Sequence, residues 1–126
     1  VLSFDGDSGP YVQYTYVRCV SLRKKYGKPI DGSVDLVLNS PAERKLIFVL
    51  LEFDHVLSTA FEQFKPNYLA QYLLDVCSGF SHFYHQQRIL GDDPQLTMAR
   101  MKLVHATEKV LDLGLKILSL ARPEAM

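Results

Sequence analysis

The apolar positions of this chain recur mostly at spacings of three and four, the period of helices packed along one face. The clearest run lies beyond Lys65-Pro66, where Leu69, Tyr72, Leu73, Val76, Cys77, Phe80, Phe83 and Tyr84 share one side and predict a core helix. Upstream, Ser40-Pro41-Ala42-Glu43 sets a hydroxyl at the N-cap, proline at the first helical position and a carboxylate at the third, which together satisfy several orphan N–H groups of a new helix. Leu46, Ile47, Leu50, Leu51 and Phe53 continue that helix as a stripe, and Val56, Leu57, Ala60, Phe61 and Phe64 repeat the spacing past Asp54. Two short helices or one bent helix are expected there. Gly91-Asp92-Asp93-Pro94 breaks the pattern and caps a last helix of about six turns, with Leu96, Ala99, Leu103, Ala106, Val110, Leu113 and Ile117 expected inward and Pro123 ending the order.

The N-terminal part is read from its punctuation. Phe4-Asp5-Gly6-Asp7-Ser8-Gly9-Pro10 is dense in turn formers, and Asp7 or Ser8 can cap a helix starting near Pro10. β-branched residues between Tyr11 and Leu22 would also suit a strand, but the length, the basic end Arg23-Lys24-Lys25 and the closing Gly27 favour a helix. Residues 28 to 39, with Pro29 and Gly32, read as an irregular link. The sum is an all-α antiparallel bundle of about five helices, one domain over residues 1–126. With 126 residues the chain is too short for two cores, and Val1, at the edge of a turn-rich motif, is expected to mark a fragment of something larger.

Charge and cysteine content narrow the function classes. Fourteen Lys and Arg balance fourteen Asp and Glu, so the whole-molecule field does not draw in polyanions, and any nucleic-acid contact must be local. Two widely separated cysteines, Cys19 and Cys77, exclude a disulfide framework and a cysteine-based zinc site and fit a reducing compartment. No run approaches the roughly eighteen apolar residues of a membrane helix, so a soluble protein without membrane contact is expected. Asp5 to Gly9 has the acidic look of a calcium loop, but Gly9 and Tyr16 stand where ligands belong, and calcium is rejected. His82 and His85 could share a helical face, yet no third ligand lies nearby, so no metal site is assigned. Phosphate loops, nucleophile elbows and zinc-protease motifs are all missing. What remains is Tyr11, Tyr14 and Arg18, three and four apart and hence in one narrow stripe. They are either boundary residues with wet hydroxyls or a platform on which unstacked bases rest, with Arg23, Lys24, Lys25 and Lys28 beyond them as phosphate contacts or as a plain solvated helix end.

Phe4 to Tyr14, followed by Arg18, resembles the F-E/D-G-D-T/S-G-P-Y-x-Q-Y signature and trailing arginine of arginyl-tRNA synthetases. Thr97-Met98-Ala99-Arg100-Met101 and the closing Pro123-Glu124-Ala125-Met126 look like that family's last helix and its terminal P-E-R-M, and Glu43, Leu46, Tyr72-Leu73 and Phe83-Tyr84 agree between them. The sequence departs from the family at Thr15-Tyr16-Val17, at Ser119 and at Ala125. The resemblance covers nearly the whole chain and implies the C-terminal helical anticodon-binding (DALR) domain of a class I synthetase. The parent would be an arginine–tRNA ligase, joining arginine to its tRNA with ATP and magnesium in the cytoplasm, with an additional organellar form as the alternative. This fragment would carry no catalytic site and no cofactor. By similarity, Tyr11, Tyr14 and Arg18 would face the anticodon bases, Tyr84 would contribute from the helix packed across, and Met126 would lie against the same loop. Arg88, one turn after Tyr84, would replace an aromatic of some relatives with a guanidinium, and Arg23, Lys24 and Lys25 would hold phosphates. The expected partners are the tRNA for arginine and the parent catalytic domain, bound by a monomer. Two rivals of other classes are an independent protein–protein module anchored by the same tyrosines and arginine, and a small metal enzyme built on His82, His85 and the acidic N-terminal turn.

Overall fold

A computed structural model describes residues 8–30, 38 and 40–121, so what the sequence implies for Phe4 to Asp7, for most of the 28–39 link, and for Pro123 and Met126 lies outside the described residues. Within them the order is α1 (Ser8–Tyr26), α2 (Pro41–Leu51), α3 (Phe53–Glu62), α4 (Pro66–Gln86) and α5 (Pro94–Ala121). α1 begins two residues before Pro10, which sits in the first turn where its missing N–H costs nothing. It closes as expected at Gly27, whose φ of +63° is the left-handed geometry that glycine adopts freely and whose N–H donates to the Arg23 carbonyl.

α2 carries the full capping box: the Glu43 N–H donates to Ser40 Oγ (3.2 Å) and the Ser40 N–H donates to Glu43 Oε1 (3.0 Å). The segment from 41 to 62 is two helices joined at Glu52. Tyr72 is bonded to that junction, its buried hydroxyl donating to the Val49 carbonyl (2.6 Å), which also takes the Glu52 N–H at 3.3 Å. After α3, Phe64 takes φ +53° in the place glycine usually fills, and the Lys65 N–H reaches back to the Ala60 carbonyl. Phe64 is exposed, and with Leu57, Phe61 and Ile117 it borders an apolar groove of about 320 Å³. α5 starts as read, with Asp93 Oδ1 accepting the N–H groups of Gln95 and Leu96.

α4 touches every other helix. α1 and α4 both run opposite to α5, since Arg23 meets Glu108 and Tyr26 meets Met98 along one contact, while Leu73 meets Gly114 and Gln87 meets Arg100 along the other. The α4 stripe is inward as expected, except that Tyr84 is only half-buried. The α5 stripe needs correction. Ala99 and Leu103 are buried, but Leu96, Ala106, Val110 and Ile117 are intermediate and Leu113 is 45% exposed. The innermost face runs about one residue further on, through Thr97, Met101, Val104, Thr107, Leu111, Gly114 and Leu118. Polar and small residues disguise it. Thr107 becomes an acceptable core residue by donating to its own helix at the Leu103 carbonyl (2.8 Å), and Gly114 admits the Leu73 side chain, which a Cβ would meet at 2.6 Å.

One ion pair ties these pieces together. The Glu43 carboxylate, nearly fully buried, accepts from Arg100 Nε at 2.8 Å, while the same guanidinium donates to Gln87 Oε1 (2.6 Å) and the Arg88 carbonyl (2.9 Å). Burial alone would push the Glu43 carboxyl up, but hydrogen bonds from Arg100 and Ser40 outweigh it and hold the group below the usual carboxylate range. A carboxyl lowered on folding contributes stability that is complete above its unfolded value and lost as pH falls through the folded one. Arg100→Met, which strips the buried carboxylate of its countercharge, is expected to lower the urea-unfolding free energy at neutral pH by about 3–5 kcal/mol. Glu43→Gln should start less stable than the parent and lose less on acidification; parallel pH profiles would count against this role. Gly114→Ala is expected to cost roughly 1 kcal/mol net in a thermal melt, because overpacking against Leu73 exceeds the helix-propensity gain.

Candidate nucleic-acid interface

The stripe read from the sequence lies on the outer face of α1 where α4 crosses it. Val12 and Cys19 turn inward and are fully buried, which leaves Tyr14 facing outward at 56% exposure. Arg18, one turn on, donates from Nη2 to the Tyr14 hydroxyl, and its Cζ sits 4.8 Å from the centroid of that ring. From α4, Tyr84 presents its ring to the same guanidinium at 4.1 Å. Arg18 is thus clasped between two aromatic rings from two helices, each contact worth roughly 0.5–2 kcal/mol depending on desolvation. Tyr84 is itself steadied by Phe80 behind it (6.2 Å between centroids) and by His85 edge-on (5.4 Å). The guanidinium is therefore held in a fixed orientation beside the exposed Tyr14 ring, which is a flat surface on which a planar ligand can stack.

Tyr11 stands one turn earlier and leans on α4, where burial raises its phenol above the usual value despite a hydrogen bond with Ser81. Arg88 does not stand where the sequence reading put it. α4 ends at Gln86, and Gln87 turns to extended backbone (φ −127°, ψ 142°), so Arg88 leaves the face of Tyr84 and is exposed in the loop, its carbonyl held by Arg100. Nor is Arg23 a free cation, because its fork donates to both Glu108 oxygens (2.9 and 3.0 Å). Lys24 and Lys25 are exposed, and Lys25 lies on the same side as the stack. The sequence reading passed over Val17, Ser21 and Leu22, which border the stack; their three- and four-residue spacing from Tyr14 and Arg18 was the available signal.

Cys19 and Cys77 are buried thiols, raised by burial, Cys77 to about 11, which keeps them protonated. His82 and His85 are exposed, and among the described residues no three His, Cys, Asp or Glu side chains come together as a metal site. No described helix is long and apolar enough to cross a membrane.

The described residues form an all-α bundle with a tyrosine–arginine cluster on an open face of α1 and α4. The DALR anticodon binding domain family matches residues 12–126, and the chain belongs to that family. The full chain is 37% identical to an arginine–tRNA ligase of Clostridium beijerinckii and 40% identical to one of Lactobacillus johnsonii, covering 23% and 22% of those proteins. Its fold superposes on Thermus thermophilus arginyl-tRNA synthetase with a TM-score of 0.81 and 36% identity, over 98% of this chain and 22% of that one. The chain thus spans less than a quarter of the length of these relatives.

With its ring largely in solvent, Tyr14→Ala is expected to lower the urea-unfolding free energy by only about 0.5–1 kcal/mol, the exposed end of the cation–π scale. A collapse of the melt in that variant would mean the ring is core and not platform.

Proposed function

We propose that this chain reads the anticodon loop of the tRNA for arginine, as the C-terminal domain of an ATP-dependent arginine–tRNA ligase. The observation that carries the reading is the Arg18 plate clasped between Tyr14 and Tyr84 on an open helical face. Loop bases of single-stranded RNA are recognised by being splayed out, stacked on flat side chains and hydrogen-bonded along their edges. Tyr14 supplies an open ring, Tyr11 a neighbouring phenol, and Arg18 N–H groups for a base edge. Lys24 and Lys25, free of the pairing that occupies Arg23, supply the sequence-independent phosphate attraction, to which the exposed Arg88 adds charge. Met126 lies against the same loop in this reading. ATP and magnesium act in a catalytic part of the ligase beyond this chain, which needs no cofactor for recognition. The ligase works as a monomer in the cytoplasm, away from any membrane.

The test is a titration of the full chain with an arginine anticodon stem-loop and with the same loop altered at its middle base, at low and physiological salt. The cognate loop is expected to bind more tightly, and Tyr14→Ala to weaken it by about tenfold or more, the usual scale for one stacked base. Arg18→Lys, which keeps the charge and removes the plane, should lose most of the preference between loops. Equal affinity for both loops with a steep salt dependence would reduce the interaction to charge attraction and sink the reading.

A further inference from the structure

At the other end of α4 from Tyr84, the helices α3, α4 and α5 leave the apolar groove of about 320 Å³, and among the described residues every side chain lining it is apolar. Its walls follow from helical spacing. Leu57 and Phe61 stand one turn apart on α3 with Phe64 just beyond, and Leu113 and Leu120 flank Ile117 on α5 at steps of four and three. Much of this surface is open: Phe61 is 62% exposed, Phe64 89% and Leu120 86%. Phe64 also holds φ +53°, a left-handed geometry that a bulky residue adopts at a cost, and the ring so placed stands in solvent and not in the core. A continuous apolar surface of this kind marks a contact with a protein, a membrane or a ligand. With no cation lining it, the groove has nothing to draw a phosphate backbone.

The course of the chain indicates the occupant. α1 and α4 both run opposite to α5, so the start of α1 lies at the same end of the bundle as Pro66 and Ile117, which line the groove. This chain covers 23% and 22% of the two bacterial arginine–tRNA ligases, so more than three quarters of such a protein lies outside it. As the C-terminal domain, it is joined to all of that at the start of α1, the end where the groove opens. We propose that an apolar surface of the preceding part of the ligase docks in this groove and fixes the bundle against it. The inference rests on the reading of this chain as the ligase's C-terminal domain and gives that domain's protein partner a place on the fold. A tethered surface is presented at high effective concentration, so a modest apolar contact suffices to hold it. Tyr84 stands 15 positions after Leu69, about 22 Å along α4 at roughly 1.5 Å per residue. The groove and the tyrosine–arginine cluster are therefore far enough apart to be occupied together, one by protein and the other by RNA.

The test is hydroxyl-radical footprinting, read by mass spectrometry, of the full-length ligase that carries this chain. Phe48 on α2 is the internal standard, because it is 67% exposed and does not line the groove. Phe61 and Phe64 are expected to oxidise several-fold more slowly than Phe48, although within this chain Phe61 nearly matches its exposure and Phe64 exceeds it. Phe61→Asp, a change at an exposed position with the fold checked by circular dichroism, should release the contact. Phe64 then oxidises as fast as Phe48, and the affinity for the anticodon stem-loop stays at the parent value. Oxidation of Phe64 at the rate of Phe48 or faster in the parent ligase overturns the docking. So does protection that is lost on dilution, which belongs to a second copy, and so does equal protection in this chain alone, which belongs to its own residues. The stem-loop titration decides the anticodon reading separately. A ligase that binds the loop with an unprotected groove loses the docking and keeps that reading, and a protected groove without loop binding does the reverse.

Discussion

The carboxylate of Glu43 is the point on which three parts of this bundle depend. It completes the cap of α2 through Ser40, receives the Arg100 guanidinium of α5, and through that guanidinium is linked to Gln87 and the Arg88 carbonyl, where the chain leaves α4. A buried ion pair of this kind contributes little net stability over a well-packed apolar pair. Its effect is geometric: the fork of Arg100 donates to Glu43 on one side and to Gln87 and the Arg88 carbonyl on the other, so the start of α2, the end of α4 and the N-terminal part of α5 take one arrangement. Tyr84 lies three residues before Gln87, and its placement against Arg18 follows from where that helix end is held.

The second constraint is how closely α1 and α4 approach α5. Gly114 lets Leu73 of α4 press against the α5 backbone, and the Arg23–Glu108 pair holds the far end of α1 to α5. These contacts set the crossing of α1 and α4, and with it the distance at which Tyr84 closes on Arg18. They also divide the basic end of α1 into two roles. Arg23 is consumed in packing, while Lys24 and Lys25 stay in solvent. A charge run that looks uniform in one dimension becomes one structural and two free cations because a helix points successive residues about 100° apart.

The legible features were those whose physics is local. The Ser40–Glu43 capping box, the Asp93 cap and the Gly27 terminus depend on residues within one or two turns and stand as read, and the α4 stripe, a local periodicity, does so except at Tyr84. The misread features depend on contacts that the spacing of apolar residues does not encode. The buried face of α5 passes through Thr97, Thr107 and Gly114, which only look like core residues once the Gly91 backbone, the Leu103 carbonyl and Leu73 are seen to receive them. Arg88 was placed by extending a helix that stops two residues earlier, with Arg100 holding the chain that departs from it.

For the site, the sequence alone determined the stripe of Tyr11, Tyr14 and Arg18, because helical spacing puts those residues on one face whatever surrounds them. It also determined the all-α class, through periodicity and caps. Whether that stripe faced core or solvent, which aromatic closed on Arg18 and which cations remained free were decided by the packing of α4 and α5 against α1. Those are relations between residues as many as 85 positions apart, as Arg23 and Glu108 are. No local periodicity encodes them, since the burial of a helix face is a property of the elements that cover it.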